Sequence, residues 1–250
     1  MKVIVHPHYA ALNSEIAQIP ADFALQGEVL HGGRNTVKRF PRPDTNWVVK
    51  HYKRPNLIQR IAYTFFKPSK AERAYRYAQI LQERGIDTPD GIAYIELKSH
   101  GLLSDCYFIS PECTDRPIFP ELVETPDYDR TLADELATFF VEMHRKGILH
   151  GDLNLSNILY RKEADGKLHF TVIDTNRSQF KDSPSRHECL HNLMRVTHRR
   201  DLQKCNDDCR EQQGEHREIF SENDARHPHR GGEKKLVRLL PALLRHEPHS

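Results

Sequence analysis

No stretch of this 250-residue chain carries the roughly 20 consecutive apolar residues that a helix needs to cross a bilayer. The opening MKVIVHPHYA has one lysine and an apolar run too short for a signal peptide. Cysteine is sparse and odd in number, at five, which excludes a small disulfide framework and points to reduced thiols in a cytoplasmic setting. A net charge of only +2 leaves no bulk field to draw DNA or RNA, so no nucleic-acid partner is expected. There is no G-x-x-x-x-G-K-[ST], which disfavours a P-loop fold, no G-x-G-x-x-G, and no internal repeat. The expectation is a soluble protein that can still rest on a membrane surface.

What is present is ordinary for a globular chain: 38% hydrophobic and 29% charged residues, enough to bury a sizeable core. The length fits one large domain or two small lobes. The first third reads as strands at 23–32, 35–40 and 46–52, separated by Gly32-Gly33 and by PRPD. RPNLIQRIAYTFF (54–66) predicts a short helix whose apolar groups pack down. SKAERAYRYAQILQERG (69–85) predicts a main helix capped by Ser69 and ended by Gly85. GIAYIEL and LLSDCYFIS read as two further strands, giving a mostly antiparallel sheet with a helix laid on it. After a turn-rich link at 111–126 the chain becomes helical, with Leu132, Leu136, Phe139, Phe140 and Met143 on one face of a helix over 128–147. NILYRKEADGKLHFTVID is a hairpin turning at Asp165-Gly166, and 185–204 predicts another amphipathic helix. Residues 205–234 are polar, and KKLVRLLPALLRH (234–246) is a short basic amphipathic segment. The expected division is an N-terminal lobe over 1–112 and a C-terminal lobe over 113–250.

A metal-nucleotide site needs a phosphate anchor, two oxygen ligands for Mg²⁺ and a carboxylate near an attacking hydroxyl. Lys50 closes the apolar run WVVK, where a strand turns it away from Val49 and His51 and can aim it at phosphates. Asp152, in HGDL after a helix, can reach a substrate hydroxyl. Asn157 offers an amide oxygen five residues on, and Asp174 closes FTVID. The two strands of one hairpin would bring Asn157 and Asp174 to one edge.

HGDLNLSN followed by VID resembles the catalytic and metal-binding loops of the protein-kinase-like superfamily, with Gly151 where Arg is usual and DTN where DFG is usual. VIDTNRSQF and KRPNLIQRIAYTFFKPSKAERAYRYA resemble segments of bacterial lipopolysaccharide core kinases, which phosphorylate heptose or Kdo. The resemblance covers about residues 25–204. It implies an α+β, protein-kinase-like fold with a small antiparallel-sheet lobe and a helical lobe, and ATP and Mg²⁺ between them. It implies Asp152 as the catalytic base or the group that orients the acceptor hydroxyl, Lys50 on the phosphates, Asn157 and Asp174 on Mg²⁺, and His150 bracing the loop. Gly32, Gly33, Arg34 and Asn35 would form the turn covering the phosphates through backbone N–H groups. The acceptor would be a glycolipid, and the enzyme cytoplasmic with peripheral contact at the inner membrane.

Several residues admit two readings. Lys53 competes with Lys50. Glu72 either pairs with Lys50 or completes a capping box with Ser69. Arg177 and Gln179 either meet an anionic acceptor or the catalytic loop, or are plain surface. His187, Cys189, His191, Cys205 and Cys209 invite zinc, but without convergent spacing. The terminal basic segment either meets anionic lipid or packs on its own domain. A small protein Ser/Thr kinase and a nucleotide-binding pseudokinase scaffold remain alternatives for the whole chain.

Overall fold

A computed structural model describes residues 1–125, 129–194 and 196. The described residues divide into two compact units: Met1–Asp115 with Thr171–Ser178, and Arg116–Phe170 with the described residues from Gln179.

The first unit is built on a six-stranded sheet. Strands β1 (Lys2–Val5), β2 (Glu28–His31), β3 (Thr36–Phe40), β4 (Trp47–Tyr52), β5 (Ala93–Ser99) and β6 (Leu102–Pro111) lie in the order β1-β5-β6-β4-β3-β2. Their pairings are antiparallel. Helices α1 (Asn13–Leu25), α2 (Leu57–Phe65) and α3 (Lys70–Glu83) accompany it. Successive strand residues point to opposite faces, and here both faces are covered. Trp47, Val49, Ile95 and Ile109 pack with Ile16, Ile19 and Phe23 of α1. Tyr52, Tyr94 and Cys106 pack with Ala71 and Tyr75 of α3. A strand buried on two sides loses its polar alternation, which is why β4 reads as the run WVV.

The antiparallel sheet matches expectation, but α1 does not. A strand was expected over 23–32, yet Phe23–Leu25 close a helix and only Glu28–His31 are extended. The usual start and continuity signals are missing from α1. It has no side-chain N-cap, and Pro20 sits in its interior. Burial of Ile16, Ile19 and Phe23 outweighs that defect. Lys38 completes the helix end from outside, its Nζ donating to the carbonyls of Phe23 at 2.7 Å and Gln26 at 2.9 Å. Gly27 then turns the chain at φ +86, where a Cβ would stand 2.9 Å from the Phe40 ring.

The short helix expected at 54–66 is α2, capped by Asn56, whose Oδ1 accepts from the Gln59 N–H at 2.9 Å. Its apolar groups do not pack down: no residue of α2 is buried. The inner side is taken instead by Arg60 and Thr64, whose side chains bond the backbone of the β5–β6 hairpin.

The second unit holds β7 (Arg116–Pro117), α4 (Arg130–Arg145), β8 (Ile148–Leu149), β9 (Ile158–Lys162), the start of β10 (Leu168–Val172), β11 (Gln179–Phe180) and α5 (Arg186–Leu193). The order β10-β9-β7 forms one small sheet and β11-β8 another. Asp129 caps α4, accepting from the Thr131 N–H at 2.8 Å, and Leu132, Leu136, Phe140 and Met143 are buried along it. Gly147, at φ +73, ends it, as the sequence predicted. Asp165-Gly166 turns the β9–β10 hairpin, with Gly166 N–H on the Glu163 carbonyl at 2.9 Å. Ser185 and Glu188 form a capping box on α5. The segments 205–234 and 234–246, and most of the predicted helix beyond Leu193, lie outside the described residues.

At the end of β10 the chain re-enters the first unit. Thr171 Oγ1 donates to Asp115 Oδ2 at 2.5 Å, and the Val172 N–H donates to the Asp87 carbonyl at 2.9 Å. Ile19 is fully buried beneath the sheet. Ile19→Ala is therefore expected to lower unfolding free energy by about 2–5 kcal/mol in urea denaturation. A change near zero would show that α1 is not part of the core.

Candidate active site

Lys50 lies on β4 opposite Val37 of β3 and Phe108 of β6, so strands flank it on both sides. Its Nζ stands 2.6 Å from Asp174 Oδ1 and 5.4 Å over the Tyr52 ring. With the lysine side chain 16% exposed and the aspartate 31%, the pair is only partly solvated. Lys53, the rival, is exposed, with its backbone N–H on Asn35 Oδ1 at 3.2 Å. Lys50 thus has the geometry of an anchored amine, and Lys53 does not.

Asp174 follows β10 in a left-handed conformation, φ +56 and ψ +46, at the head of the Thr175–Arg177 turn. For a residue with a Cβ this costs on the order of 1–3 kcal/mol, a strain that surrounding contacts must hold. Here they are the Lys50 amine and Asn176, whose Nδ2 donates to Asp174 Oδ1 at 2.6 Å. The negative charge of Asp174, after burial itself, pushes the Tyr52 hydroxyl well above the ordinary phenol range.

The expected pair between Lys50 and Glu72 is not the arrangement found. Glu72 turns to Lys2 at 3.7 Å and Arg76 at 2.5 Å, and its N–H donates to Ser69 Oγ at 3.1 Å, the capping half of the two readings. The reason is register. Ala71, beside Glu72, packs on the sheet face that carries Tyr52, while Lys2 reaches Glu72 from the sheet's edge strand.

Two residues passed over in the sequence belong to this region. Lys70 has its pKa lowered, first by burial, then by Arg34, with Arg177 and Arg73 adding to the effect. Arg73 has its Nε buried with no hydrogen-bond partner, and its guanidinium lies 5.9 Å from the Tyr63 ring centre. The readable signal was electrostatic: cations in the first turn of a helix run against its macrodipole. The exposed turn of Gly32, Gly33 and Arg34, followed by Asn35, contributes Arg34 to the same positive field. A polyanion such as a triphosphate relieves that repulsion, so the first unit fits phosphate binding.

In the second unit His150 is fully buried. Its Nδ1 accepts from the Asp152 N–H at 3.3 Å, and its carbonyl accepts from Asn192 Nδ2 at 2.7 Å. Asn192 Oδ1 lies 3.2 Å from His144 Nε2, which ties the loop to α4. On the other side the Asp152 carbonyl accepts from Asn157 Nδ2 at 2.9 Å and from Asn154 Nδ2 at 3.3 Å. Asn157 ends the 3-10 turn Leu155–Asn157, and its nitrogen is spent on the loop. The amide oxygen, the atom with affinity for a hard cation, is left for a ligand. Asp152 is thus set in a loop braced from both ends.

The structure therefore brings Lys50, Asp174 and the Arg34 turn into one unit, and His150, Asp152 and Asn157 into the other. Arg177 and Gln179 separate in the same way. Of the zinc group, His187, Cys189 and His191 lie on α5, and Cys205 and Cys209 fall outside the described residues. Among the described residues no cluster of three or more His, Cys, Asp or Glu could hold a metal.

An antiparallel sheet presenting a lysine to a carboxylate, and a following helical unit with a braced Asp-x-x-x-x-Asn loop, define a protein-kinase-like fold. The solved structure titled "WaaP in complex with acyl carrier protein" shares it, with a TM-score of 0.55 at 19% identity over 78% of this chain and 80% of that one. The chain belongs to the lipopolysaccharide kinase (Kdo/WaaP) family, whose profile matches residues 23–215. Relatives include two proteins called 3-deoxy-D-manno-octulosonic acid kinase from Vibrio vulnificus, strains YJ016 and CMCP6. Each is 24% identical over 132 residues, which cover 51% of this chain and 56% of the relative.

The Lys50–Asp174 contact predicts a measurable coupling. In a cycle of Lys50→Met, Asp174→Asn and the double variant, urea unfolding should show an interaction energy of about 0.5–3 kcal/mol. Strict additivity would mean that the ion pair contributes nothing to the fold.

Proposed function

We propose that this protein is an ATP-dependent phosphotransferase acting on a sugar hydroxyl of the lipopolysaccharide core, heptose or Kdo. The observation that carries the reading is family membership over residues 23–215, a stretch that takes in Lys50, Asp152, Asn157 and Asp174. Their local geometry supports it, and the roles divide between the units. In the first, Lys50 neutralises phosphate charge, assisted by the backbone of Gly32, Gly33, Arg34 and Asn35. In the second, Asp152 accepts or orients the proton of the acceptor hydroxyl for in-line attack, and His150 fixes the loop that carries it.

Asn157 and Asp174 offer the oxygen donors that Mg²⁺ prefers, one neutral and one charged. When bound, the metal would offset charge on the transferring phosphoryl group. Asp174 Oδ1 already faces a cation in Lys50, so its environment suits that role. Asn176 and Lys50 together hold the carboxylate in place.

A glycolipid acceptor is presented at a membrane, so the enzyme would work in the cytoplasm with peripheral contact at the inner membrane. No helix among the described residues is long and apolar enough to cross a membrane. The protein-kinase and scaffold readings gain no specific support.

A transfer assay with labelled γ-phosphate tests this. Label is expected on lipopolysaccharide core, and none on a generic protein acceptor. Asp152→Ala should lower kcat by about 10²–10⁴-fold while ATP binding persists. Label on protein alone, or unchanged turnover in Asp152→Ala, would overturn the assignment.

A further inference from the structure

Helix α2 is turned inside out. A surface helix normally sends its apolar stripe to the core and its polar side to water. On α2, Leu57, Ile58 and Phe65 are 61%, 80% and 66% exposed, Ile61 is 40% exposed, and Phe66, just beyond, is 78% exposed. Leu57, Ile61, Phe65 and Ile58 fall within about a 100° arc at the α-helical turn angle, so they form one face. Nothing about this face is accidental mispacking, because the flank beside it, about 20–60° round from Leu57, is bonded down. Arg60 Nε donates to the Leu103 carbonyl at 2.8 Å, and its guanidinium also donates to the Ser99 carbonyl at 2.9 Å. Thr64 Oγ1 accepts from the Leu103 N–H at 2.9 Å and donates to the Arg60 carbonyl at 2.6 Å. Rolling the helix to bury its apolar face would orphan these backbone groups, each a loss comparable to a broken hydrogen bond.

The charge along this segment has one sign. Between Asp44 and Glu72 the sequence contains no acidic residue. Lys53, Arg54 and Lys67 flank α2 and are all exposed. Exposed apolar side chains ringed by cations match an anionic lipid surface: acyl chains receive the first and headgroups the second. A protein partner would need acidic residues ranged around an apolar groove, and a second copy of this chain would set these cations against themselves.

We propose that α2 is an interfacial anchor that lays Leu57, Ile58, Ile61, Phe65 and Phe66 into the acyl boundary of an anionic bilayer, with Lys53, Arg54 and Lys67 on the headgroups. This surface extends the proposed activity, since a glycolipid acceptor is held in such a bilayer, but its binding to lipid needs neither ATP nor acceptor. The basic segment at 234–246, for which lipid contact was one of two readings, lies outside the described residues, and the α2 surface is separate from it.

Co-sedimentation of the full chain with vesicles tests this. Wild type should pellet with phosphatidylethanolamine–phosphatidylglycerol vesicles at least about tenfold more strongly than with phosphatidylcholine vesicles, and less so as salt rises. The double variant Ile58→Asp/Phe65→Asp should lose at least about tenfold of that binding. Both side chains are exposed, so its circular dichroism and thermal midpoint should match wild type. In a separate variant, Phe65→Trp, indole emission should shift to the blue on adding anionic vesicles. Equal pelleting of wild type and the double variant, no pelleting of either, or a dimer abolished by the double variant without any lipid binding would each overturn the proposal. Phosphoryl transfer to a soluble core oligosaccharide, run alongside, should be the same for both proteins. Its absence from both would sink the assigned activity, whereas the vesicle result would still decide the anchor.

Discussion

The contact on which the molecule turns is the ion pair between Lys50 and Asp174. A lysine in the middle strands of a sheet is expensive unless its charge is matched. An aspartate with φ +56 is strained unless something holds it. Each supplies what the other lacks. The pair sits on the sheet face shared with Tyr52 and α3, where the Tyr52 hydroxyl responds to the aspartate's charge. Arg34, Lys70 and Arg73 crowd the same unit with positive charge, so one carboxylate faces a field that a bound polyanion would balance.

The chemistry was more legible in the sequence than the scaffold that carries it. HGDLNLSN and VID mark a polar loop and a strand end by residue type and spacing alone, and the hydrogen bonds of His150, Asp152 and Asn157 follow that local order. The turns were equally plain, because Gly147 and Asp165-Gly166 act within a few residues of themselves. What stayed hidden depends on partners far along the chain. Helix α1 lacks a cap and contains Pro20, so only its three buried apolar residues, meeting strands from 40 to 109, explain it. Glu72 looked available to Lys50, and only the path of Lys2 along the sheet edge shows where it goes.

The exposed face of α2 was illegible for a related reason. Periodicity reports that a helix has an apolar side, but not which way that side points. Here the decision lies with Arg60 and Thr64, whose bonds to Ser99 and Leu103 fix their flank of the helix inward and leave the apolar arc outside. Amphipathic patterning is thus compatible with two opposite orientations, and a pair of hydrogen-bonding side chains selects between them.

The stitch between Asp115 and Thr171 has a consequence for biogenesis. The six-stranded sheet is translated early, yet the segment Thr171–Ser178 that brings Asp174 to Lys50 arrives only after the whole of Arg116–Phe170 has been made. At ribosomal speeds of about 5–20 residues per second, Lys50 waits on the order of ten seconds for Asp174 to emerge. Throughout that interval the nascent sheet carries an unmatched amine and an apolar helix face, the surface that a chaperone or the membrane itself would meet first.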